Sequence, residues 1–178
     1  MKKATLLIVV IFSFISCAKK GTTATNVETV KYYNAKDEMV TFEDFTPLNS
    51  SNNKHVKSWK GYQQLKVQLT ALKTTTPNEI LSLSDELTKT VVLMRDSIRN
   101  NDLAISGVKA RVNALYNQSL RLQDMQNIPS ITAAEIKNQL KGMFTIYSTL
   151  NTKIDAVYNQ IAFEKELEEE VPFFEDFE

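Results

Sequence analysis

The sequence is poor in the residues from which many catalytic and metal-binding sites are built. Its 178 residues include one cysteine, one histidine and one tryptophan. No HExxH, CxxC, GxSxG or glycine-rich phosphate-binding motif occurs. His55 has no evident partner for a metal site or for a nucleophile–base pair, so we interpret it as a surface residue. The sequence therefore predicts a protein that is not an enzyme and that holds neither a metal nor a cofactor.

Glycine and proline are also scarce, with four of each in the chain. A sheet protein with many turns needs more of both, so their scarcity favours long helices. Neither sign of charge is in excess, because 21 basic and 21 acidic residues give a formal net charge of zero. No bulk electric field therefore argues for nucleic acid or for an acidic substrate.

The first seventeen residues are the most informative stretch that is present. Met1-Lys2-Lys3 is basic, and the thirteen residues at 4–16 carry no charge and are mostly Leu, Ile, Val and Phe. A basic start, a short apolar run and a small residue before a cleavage point are typical of a secretory signal. As a helix, this run would be about 20 Å long, which is too short for the roughly 30 Å core of a bilayer.

The run ends at Phe14-Ile15-Ser16-Cys17, which resembles the lipobox of bacterial lipoproteins, with Phe14 where that family usually has Leu. The resemblance implies that residues 1–16 are a signal peptide cut after Ser16. It also implies that Cys17 is acylated and holds the chain in a lipid bilayer, since several acyl chains make a stable anchor. An acylated Cys17 leaves no thiol for a disulfide, a metal or a nucleophile.

The residues after the cysteine bear on which membrane the anchor enters. Ala18-Lys19-Lys20-Gly21 contains no acid, whereas some lipoproteins carry an acidic run that sends them to the cell surface. Ala18 also differs from the aspartate that retains some lipoproteins in the inner membrane. The resemblance therefore implies a lipid anchor in the outer membrane, facing the periplasm. In a Gram-positive host the same signal implies the outer face of the plasma membrane.

Residues 17–53 are interpreted as the acylated N-terminus followed by a flexible tether or arm. Two polar runs, at 18–25 and 49–53, show no apolar period. Between them, the segment from Val27 to Phe45 contains β-branched and aromatic residues without clean alternation. This segment either packs on the following domain as an extended arm or is disordered.

Residues 54–170 predict a bundle of three helices. The first covers about 54–73 and the second about 77–126, with Thr76-Pro77-Asn78-Glu79 as a helix start. Apolar residues of the second helix recur at alternating spacings of four and three, which is a heptad seam. Asn101 lies on that seam, where it either fixes register or marks a helix break. The seam keeps its phase across Asn101, which favours one long helix.

The third helix is predicted from about position 132 to 169, before Pro172. Thr132 and Glu135 form a second capping box, with Ile131 and Ile136 as a hydrophobic staple. The four–three spacing holds again along this helix. The buried positions are expected to be Ile136, Leu140, Met143, Tyr147, Leu150, Ile154, Val157 and Ile161.

The predicted fold is all-α: an elongated, coiled-coil-like antiparallel helical hairpin with a shorter helix packed at its tether end. Register arithmetic across the turn at 127–131 places Leu140 beside position 118. It also places Leu167 near Val91 at the other end of the hairpin. Across the turn at 74–76, the same arithmetic places Trp59 near Val91.

The first helix is rich in lysine, and no acid occurs between positions 46 and 78. This stretch is either a site for anionic lipid or cell-wall polymer, or an ordinary solvated helix face. On a helical wheel, Lys57 and Lys60 lie on one side of the apolar stripe. Lys66 and Lys73 lie on the other side, which favours the solvated face.

The acidic–aromatic tail, residues 171–178, is the least ordinary feature. Phe174-Glu175-Asp176-Phe177 repeats Phe42-Glu43-Asp44-Phe45 letter for letter. Phenylalanines spaced by acids suit a short motif that docks into a basic, apolar groove, although a solvated end is the simpler interpretation. The predicted candidates for interaction are Phe174, Glu175, Asp176, Phe177, Phe42, Phe45, Trp59, Lys57 and Lys60.

Two classes of function fit these features. The first is a membrane-anchored, non-catalytic lipoprotein that acts as a structural or interaction subunit of the bacterial cell envelope, with a protein partner there and no nucleic acid. The second is a periplasmic helical chaperone or envelope stress-response protein, which would need an exposed apolar face. The heptad seams, the tether and the tail favour the first class.

Overall fold

The computed structural model describes residues 34–170, and all structural statements concern that part of the chain. Its fold is mostly helical, as the sequence predicts, with one short antiparallel strand pair, β1 and β2. Single 3-10 turns occur at Ala35–Asp37, Ser50–Asn52 and Asn101–Leu103. The elements in chain order are β1 (Val40–Thr41), α1 (Asn53–Val56), α2 (Lys60–Ala71), β2 (Thr74–Thr75), α3 (Pro77–Ser82), α4 (Ser84–Asp96), α5 (Ser106–Met125) and α6 (Ala133–Glu170).

The longer helices pack side by side around one apolar core: α2 lies against α4, α4 against α5, and α5 against α6. Two contacts show that α4 and α5 are antiparallel. The Gln123 amide donates to the Asp85 carboxylate at 2.8 Å, and the Arg95 guanidinium lies 4.7 Å from the centre of the Tyr116 ring. Tyr62 connects α2 to α6, since its ring stacks on Tyr147 with centres 5.5 Å apart.

The first predicted helix, 54–73, is interrupted at Lys57–Trp59, so α1 and α2 are separate. Trp59 has φ −82° and ψ 84°, which is not helical. Its buried indole N–H donates to the Met94 carbonyl at 2.7 Å. Gly61 then lets α2 approach α4 closely, because a Cβ there would lie 2.2 Å from the Met94 Cα. Packing of the tryptophan onto α4 has thus overridden local helix propensity.

The prediction of one long helix over 77–126 is wrong. The regular helix is interrupted at Leu83, and the chain turns back between α4 and α5, at residues 97–105. Asn100 holds the turn, because its side-chain oxygen accepts from the Asp102 N–H at 3.0 Å and its side-chain amide donates to the Tyr158 hydroxyl at 2.6 Å. Leu103 is buried, whereas Asn101 is exposed. Asn101 therefore marks the helix break and does not fix register. The four–three spacing of apolar residues in the sequence continues across this position although the helix does not.

The third predicted helix is confirmed as α6. The Glu135 N–H donates to the Thr132 hydroxyl at 3.2 Å, and the Glu135 carboxylate accepts from the Thr132 N–H at 2.9 Å, as a capping box requires. The first six predicted core positions, Ile136 to Ile154, are buried. α6 contacts α5 here, since the Gln139 amide donates to the Gln118 carbonyl at 2.9 Å.

The arm before α1 packs on α6 over the part that the structure describes. Phe45 and Leu48 are buried there. The Thr46 N–H donates to the Ser148 hydroxyl at 3.0 Å, and the Asn52 amide donates to Asp155 at 2.8 Å. Later arm residues meet later residues of α6, so the arm runs parallel to that helix. Of the two expectations for this segment, the described residues show the packed arm.

The described chain begins and ends at opposite ends of the helical body, residues 34–158. At its beginning, the Asn78 amide donates to Asp37, and α3 packs against α6. At the other end, His55 stacks on Tyr158 with ring centres 3.7 Å apart. α6 continues past Tyr158 for about 18 Å as a projecting end, and its residues 159–169 are all exposed.

Candidate interaction surfaces

The first Phe-Glu-Asp-Phe string is docked on α6 through its aromatic rings. Phe42 meets Phe144 edge-on, with ring centres 5.4 Å apart. Phe45 meets Tyr147 edge-on at 5.0 Å and is itself 8% exposed. Edge-to-face pairs at these distances are favourable beyond the area that they bury. The two phenylalanines therefore supply the apolar part of this contact.

The acidic part of the same string meets a lysine. Lys73 Nζ lies 2.6 Å from a carboxylate oxygen of Asp44. The same nitrogen lies 4.9 Å from the centre of the Phe45 ring, within range of a cation–π contact. One lysine thus contacts both an acid and an aromatic ring of the string. The contact shows how this four-residue sequence binds a helical surface.

A cleft of about 60 Å³, which we term the distal cleft, opens at the end of the body from which α6 projects. The turn between α4 and α5 lines it with Ile98, Arg99 and Leu103, and Trp59 and His55 line it from the other side. Trp59 and Leu103 are buried, whereas Arg99 is exposed. The distal cleft therefore combines apolar walls with a cation at its rim.

Two polar groups of the distal cleft differ in their hydrogen bonding. The Trp59 indole donor is used by Met94, which fixes the ring in place. The Ser97 hydroxyl is buried and has no hydrogen-bond partner among residues 34–170. A carboxylate or carbonyl oxygen that entered the cleft could accept from this hydroxyl.

His55 borders the distal cleft in a neutral state at neutral pH. Partial burial, followed by the nearby charge of Lys54, lowers the pKa of His55 from its usual value, and the charge of Asp102 opposes this. Because the ring stacks on Tyr158, its position is set by packing against α6. We assign His55 a packing role at this end of the body.

Three lysines line a shallow hollow formed around α1 and α2, which we term the lysine depression. It is lined by Lys54, Lys57 and Lys66, together with the amide side chains of Asn53 and Gln63. Within residues 34–170, none of these lysines makes an ion pair with an acid. The result is a local positive surface on a chain of zero net charge.

The predicted grouping of these lysines is wrong. The helical wheel put Lys57 with Lys60 and apart from Lys66, but the chain is not helical at 57–59. The structure instead brings Lys57 and Lys66 to one depression, whose lining does not include Lys60. Lys60 is exposed, and Lys73 is paired with Asp44.

The projecting end of α6 carries exposed apolar residues. Ile161, Phe163 and Leu167 are 41%, 59% and 46% exposed. Phe163 and Leu167 are four residues apart and so share one helix face. Leu167 was predicted to lie near Val91, and this is wrong: the chain turns back at residues 97–105, so α4 with Val91 packs on α5 inside the body, whereas Leu167 lies beyond it. Sequence reasoning missed these exposed residues because it assumed a longer neighbouring helix.

The tyrosine pair at the centre of the body is structural. The Tyr62 hydroxyl donates to the Asn151 side-chain oxygen at 2.9 Å, and the Asn151 amide donates to the Thr46 carbonyl at 2.7 Å. Burial raises the pKa of Tyr62 to about 12 and raises the pKa of Tyr147 well above its usual value. Both hydroxyls therefore remain protonated at neutral pH, and the network holds α2, α6 and the arm together.

The remaining predicted site residues, Cys17, Phe174, Glu175, Asp176 and Phe177, lie outside the described residues. Among residues 34–170, no three His, Cys, Asp or Glu side chains are grouped so as to hold a metal ion. None of the helices described there is both long and apolar enough to cross a membrane. Comparison with protein-family models, with curated proteins and with solved structures found no match to this chain.

Proposed function

We propose that this protein is a membrane-anchored, non-catalytic lipoprotein that acts as a structural or interaction subunit in the bacterial cell envelope. In this proposal, residues 1–16 are removed and acylated Cys17 enters the lipid bilayer. The anchor lies in the outer membrane facing the periplasm, or in the outer face of the plasma membrane of a Gram-positive host. The protein partner binds the projecting end of α6.

The observation that carries the proposal is the exposure of that helical end. Ile161, Phe163 and Leu167 face solvent on a segment of about three turns that packs against no described neighbour. An isolated helix of this length is marginal in water. Five glutamates between positions 164 and 170 oppose the helix dipole at its C-terminal end, with no basic residue in the last turn.

These features together define the chemistry of the partner. A groove with apolar walls would bury the three apolar side chains. Basic residues at its rim would offset both the repulsion among the glutamates and their unfavourable interaction with the dipole. We therefore propose a protein with a basic, apolar groove as the partner.

The helical body is proposed to act as a spacer between the anchor and the partner. The described chain begins at Asn34 at one end of the body, and α6 projects from the other end. At 1.5 Å per residue, the 38 residues of α6 are about 57 Å long. We propose that α5 and α6 form a coiled-coil-like antiparallel pair that keeps the binding end away from the membrane.

The anchor is tested by Cys17→Ser. We expect the variant to lose acylation and to remain as an uncut or mislocalised precursor, because sulfur is the atom that carries the acyl chain. Membrane fractionation and mass spectrometry of the N-terminus check this. A processed and acylated Cys17→Ser protein in the membrane fraction would show that the lipobox interpretation is wrong.

The binding end is tested by a photoreactive amino acid at position 163 in living cells. We expect a discrete crosslinked protein that disappears when Leu167→Glu is added. The same probe at Lys109, which is exposed on α5, is the matched control and should not give this product. Equal yields of the same product from positions 163 and 109 would contradict the proposal.

A further inference from the structure

We propose that the partner of the projecting end of α6 is a second copy of this chain, which binds it in a groove along α2. This inference rests on the proposed function, because it names the partner of the same helical end. The groove combines the lysine depression with an apolar hollow of about 200 Å³. We term the whole surface the α2 groove.

The apolar hollow lies between α2 and the start of α4. Its walls are mainly the aliphatic side chains of Val67, Ala71, Leu72, Leu83 and Leu87. Val67 is 69% exposed, which is more than any other large apolar residue among positions 34–170. Since a cavity of about 150 Å³ can hold a benzene molecule, the hollow has room for one phenyl ring. Phe163, itself 59% exposed, supplies such a ring.

The hollow and the lysine depression adjoin along one face of α2. Gln63 lines the depression and Val67 lines the hollow, and residues four apart on a helix are surface neighbours. Within residues 34–170, the three lysines of the depression make no ion pair. The one acid of the hollow, Glu86, lies level with Gln68, whose amide donates to it at 2.9 Å. The α2 groove is therefore apolar at one end and basic at the other.

The projecting end of α6 has the complementary pattern. Residues 159–169 contain four glutamates and one lysine beside the exposed apolar residues. With Phe163 in the hollow and the helix antiparallel to α2, the glutamates after Phe163 lie over the lysine depression. Cations there also interact favourably with the C-terminal end of the helix dipole, where α6 has no basic residue of its own. The opposite direction would place the glutamates towards Glu86.

The α2 groove cannot bind the projecting end of its own chain. Tyr62 stacks on Tyr147 and His55 stacks on Tyr158, so α2 runs antiparallel to α6. The tyrosine pair thus places Val67 level with about position 142 of α6. Phe163 lies about 32 Å further along this helix, which continues unbroken to Glu170. The contact therefore joins two copies through unlike surfaces, and such contacts build rings or open chains.

The contact is tested by a photoreactive amino acid at position 67 of the full-length protein in cells. We expect a crosslinked dimer in which mass spectrometry locates the junction within residues 159–170 of the second copy. The same probe at Leu93, which is 42% exposed on α4, is the matched control and should give severalfold less of this junction. A dimer with its junction elsewhere, or no dimer from position 67, would overturn the inference.

The crosslink from position 163 separates this inference from the proposed function. A dimer from position 163 supports both. A product that contains a different protein would overturn the second copy as partner and leave the proposed function intact. The absence of any discrete product from position 163 would contradict the proposed function as well.

Charge reversal tests the two surfaces against each other. Lys57→Glu with Lys66→Glu reverses the groove, and Glu166→Lys with Glu168→Lys reverses the helix. Each double variant alone should lose the dimer severalfold. Coexpression of the two should restore it, because each groove then meets a helix of opposite charge. An undiminished dimer in either variant would overturn the inference, and so would a loss that coexpression does not reverse although circular dichroism shows both variants folded.

Discussion

The two parts of α6 both contain recurring apolar residues, but their surroundings are opposite. From Ile136 to Ile154 the apolar seam is buried, with several side chains at 0% exposure. From Ile161 to Leu167 apolar residues recur, but each is more than 40% exposed. The first part lies against α5, α3 and the arm, whereas the second passes beyond the body. Whether an apolar residue of α6 is buried or exposed therefore depends on whether another helix or the arm packs against that part of α6.

The largest difference between the two parts should appear in stability. Leu150→Ala or Ile154→Ala should lower the free energy of unfolding by about 2–4 kcal/mol, because each removes fully buried methyl groups. Phe163→Ala and Leu167→Ala should change it by less than about 0.5 kcal/mol. Urea unfolding followed by circular dichroism measures both sets. Equal losses in the two sets would show that the projecting end is packed.

A smaller effect tests how tightly the body is packed where α2 crosses α4. Gly61→Ala should cost about 1–3 kcal/mol, because the new Cβ would lie 2.2 Å from the Met94 Cα and would force the backbones apart. Gly142→Ala is the matched control within α6, since its Cβ would meet only the Gln118 side chain, at 3.4 Å. Alanine favours a helix over glycine by up to about 1 kcal/mol, so this control should stabilise the protein. Thermal melts that show the reverse order would contradict the close crossing.

The smallest effect is a loss of stability at alkaline pH that comes from Tyr147 in the buried part of α6. An exposed tyrosine in the unfolded chain ionises near pH 10, whereas burial raises the pKa of Tyr147 in the folded chain. The stabilisation that results from this difference in pKa is fully present below about pH 10. As the pH rises above about 10, the free energy of unfolding falls by up to about 1.4 kcal/mol per pH unit. Tyr147→Phe should make this loss shallower. Urea unfolding at pH 9 to 11 measures it.

The neutral-pH behaviour of the two tyrosines provides the control for that measurement. The Tyr147 hydroxyl has no hydrogen-bond partner among residues 34–170, so Tyr147→Phe should be nearly neutral at pH 7. Tyr62→Phe loses the bond to Asn151 and should cost about 1 kcal/mol at pH 7. An alkaline loss that is unchanged in Tyr147→Phe would show that this hydroxyl is not buried.

Local signals in the sequence predicted the parts of the fold that depend on neighbouring residues in the chain. The capping box at Thr132 and Glu135 and the seam of α6 from Ile136 to Ile154 are set by helix geometry alone, and both are confirmed. The last predicted seam position, Ile161, is 41% exposed, so that part of the prediction is wrong. The short turn at 127–131 brings α5 and α6 into contact, as in the bond from Gln139 to Gln118.

The parts that depend on distant contacts could not be predicted in this way. The break after α4 is stabilised by the bond from Asn100 to Tyr158, 58 positions later in the chain. The interruption at Trp59 depends on a carbonyl of α4. A heptad pattern shows only the spacing of apolar residues along the chain. It cannot reveal a turn whose length leaves that spacing unbroken. The distal cleft, formed by the turn with Arg99, was missed for the same reason.

The variant Ile161→Ser, Phe163→Ser and Leu167→Ser tests the central claim most directly, because one protein gives two readouts. The claim is that the projecting end of α6 contributes nothing to the fold and makes the contact with the partner. We predict that the free energy of unfolding stays within about 0.5 kcal/mol of the unmodified protein. We also predict that the protein captured by a photoreactive residue at position 164 is lost. A large loss of stability, or an unchanged crosslinked product, would contradict the claim.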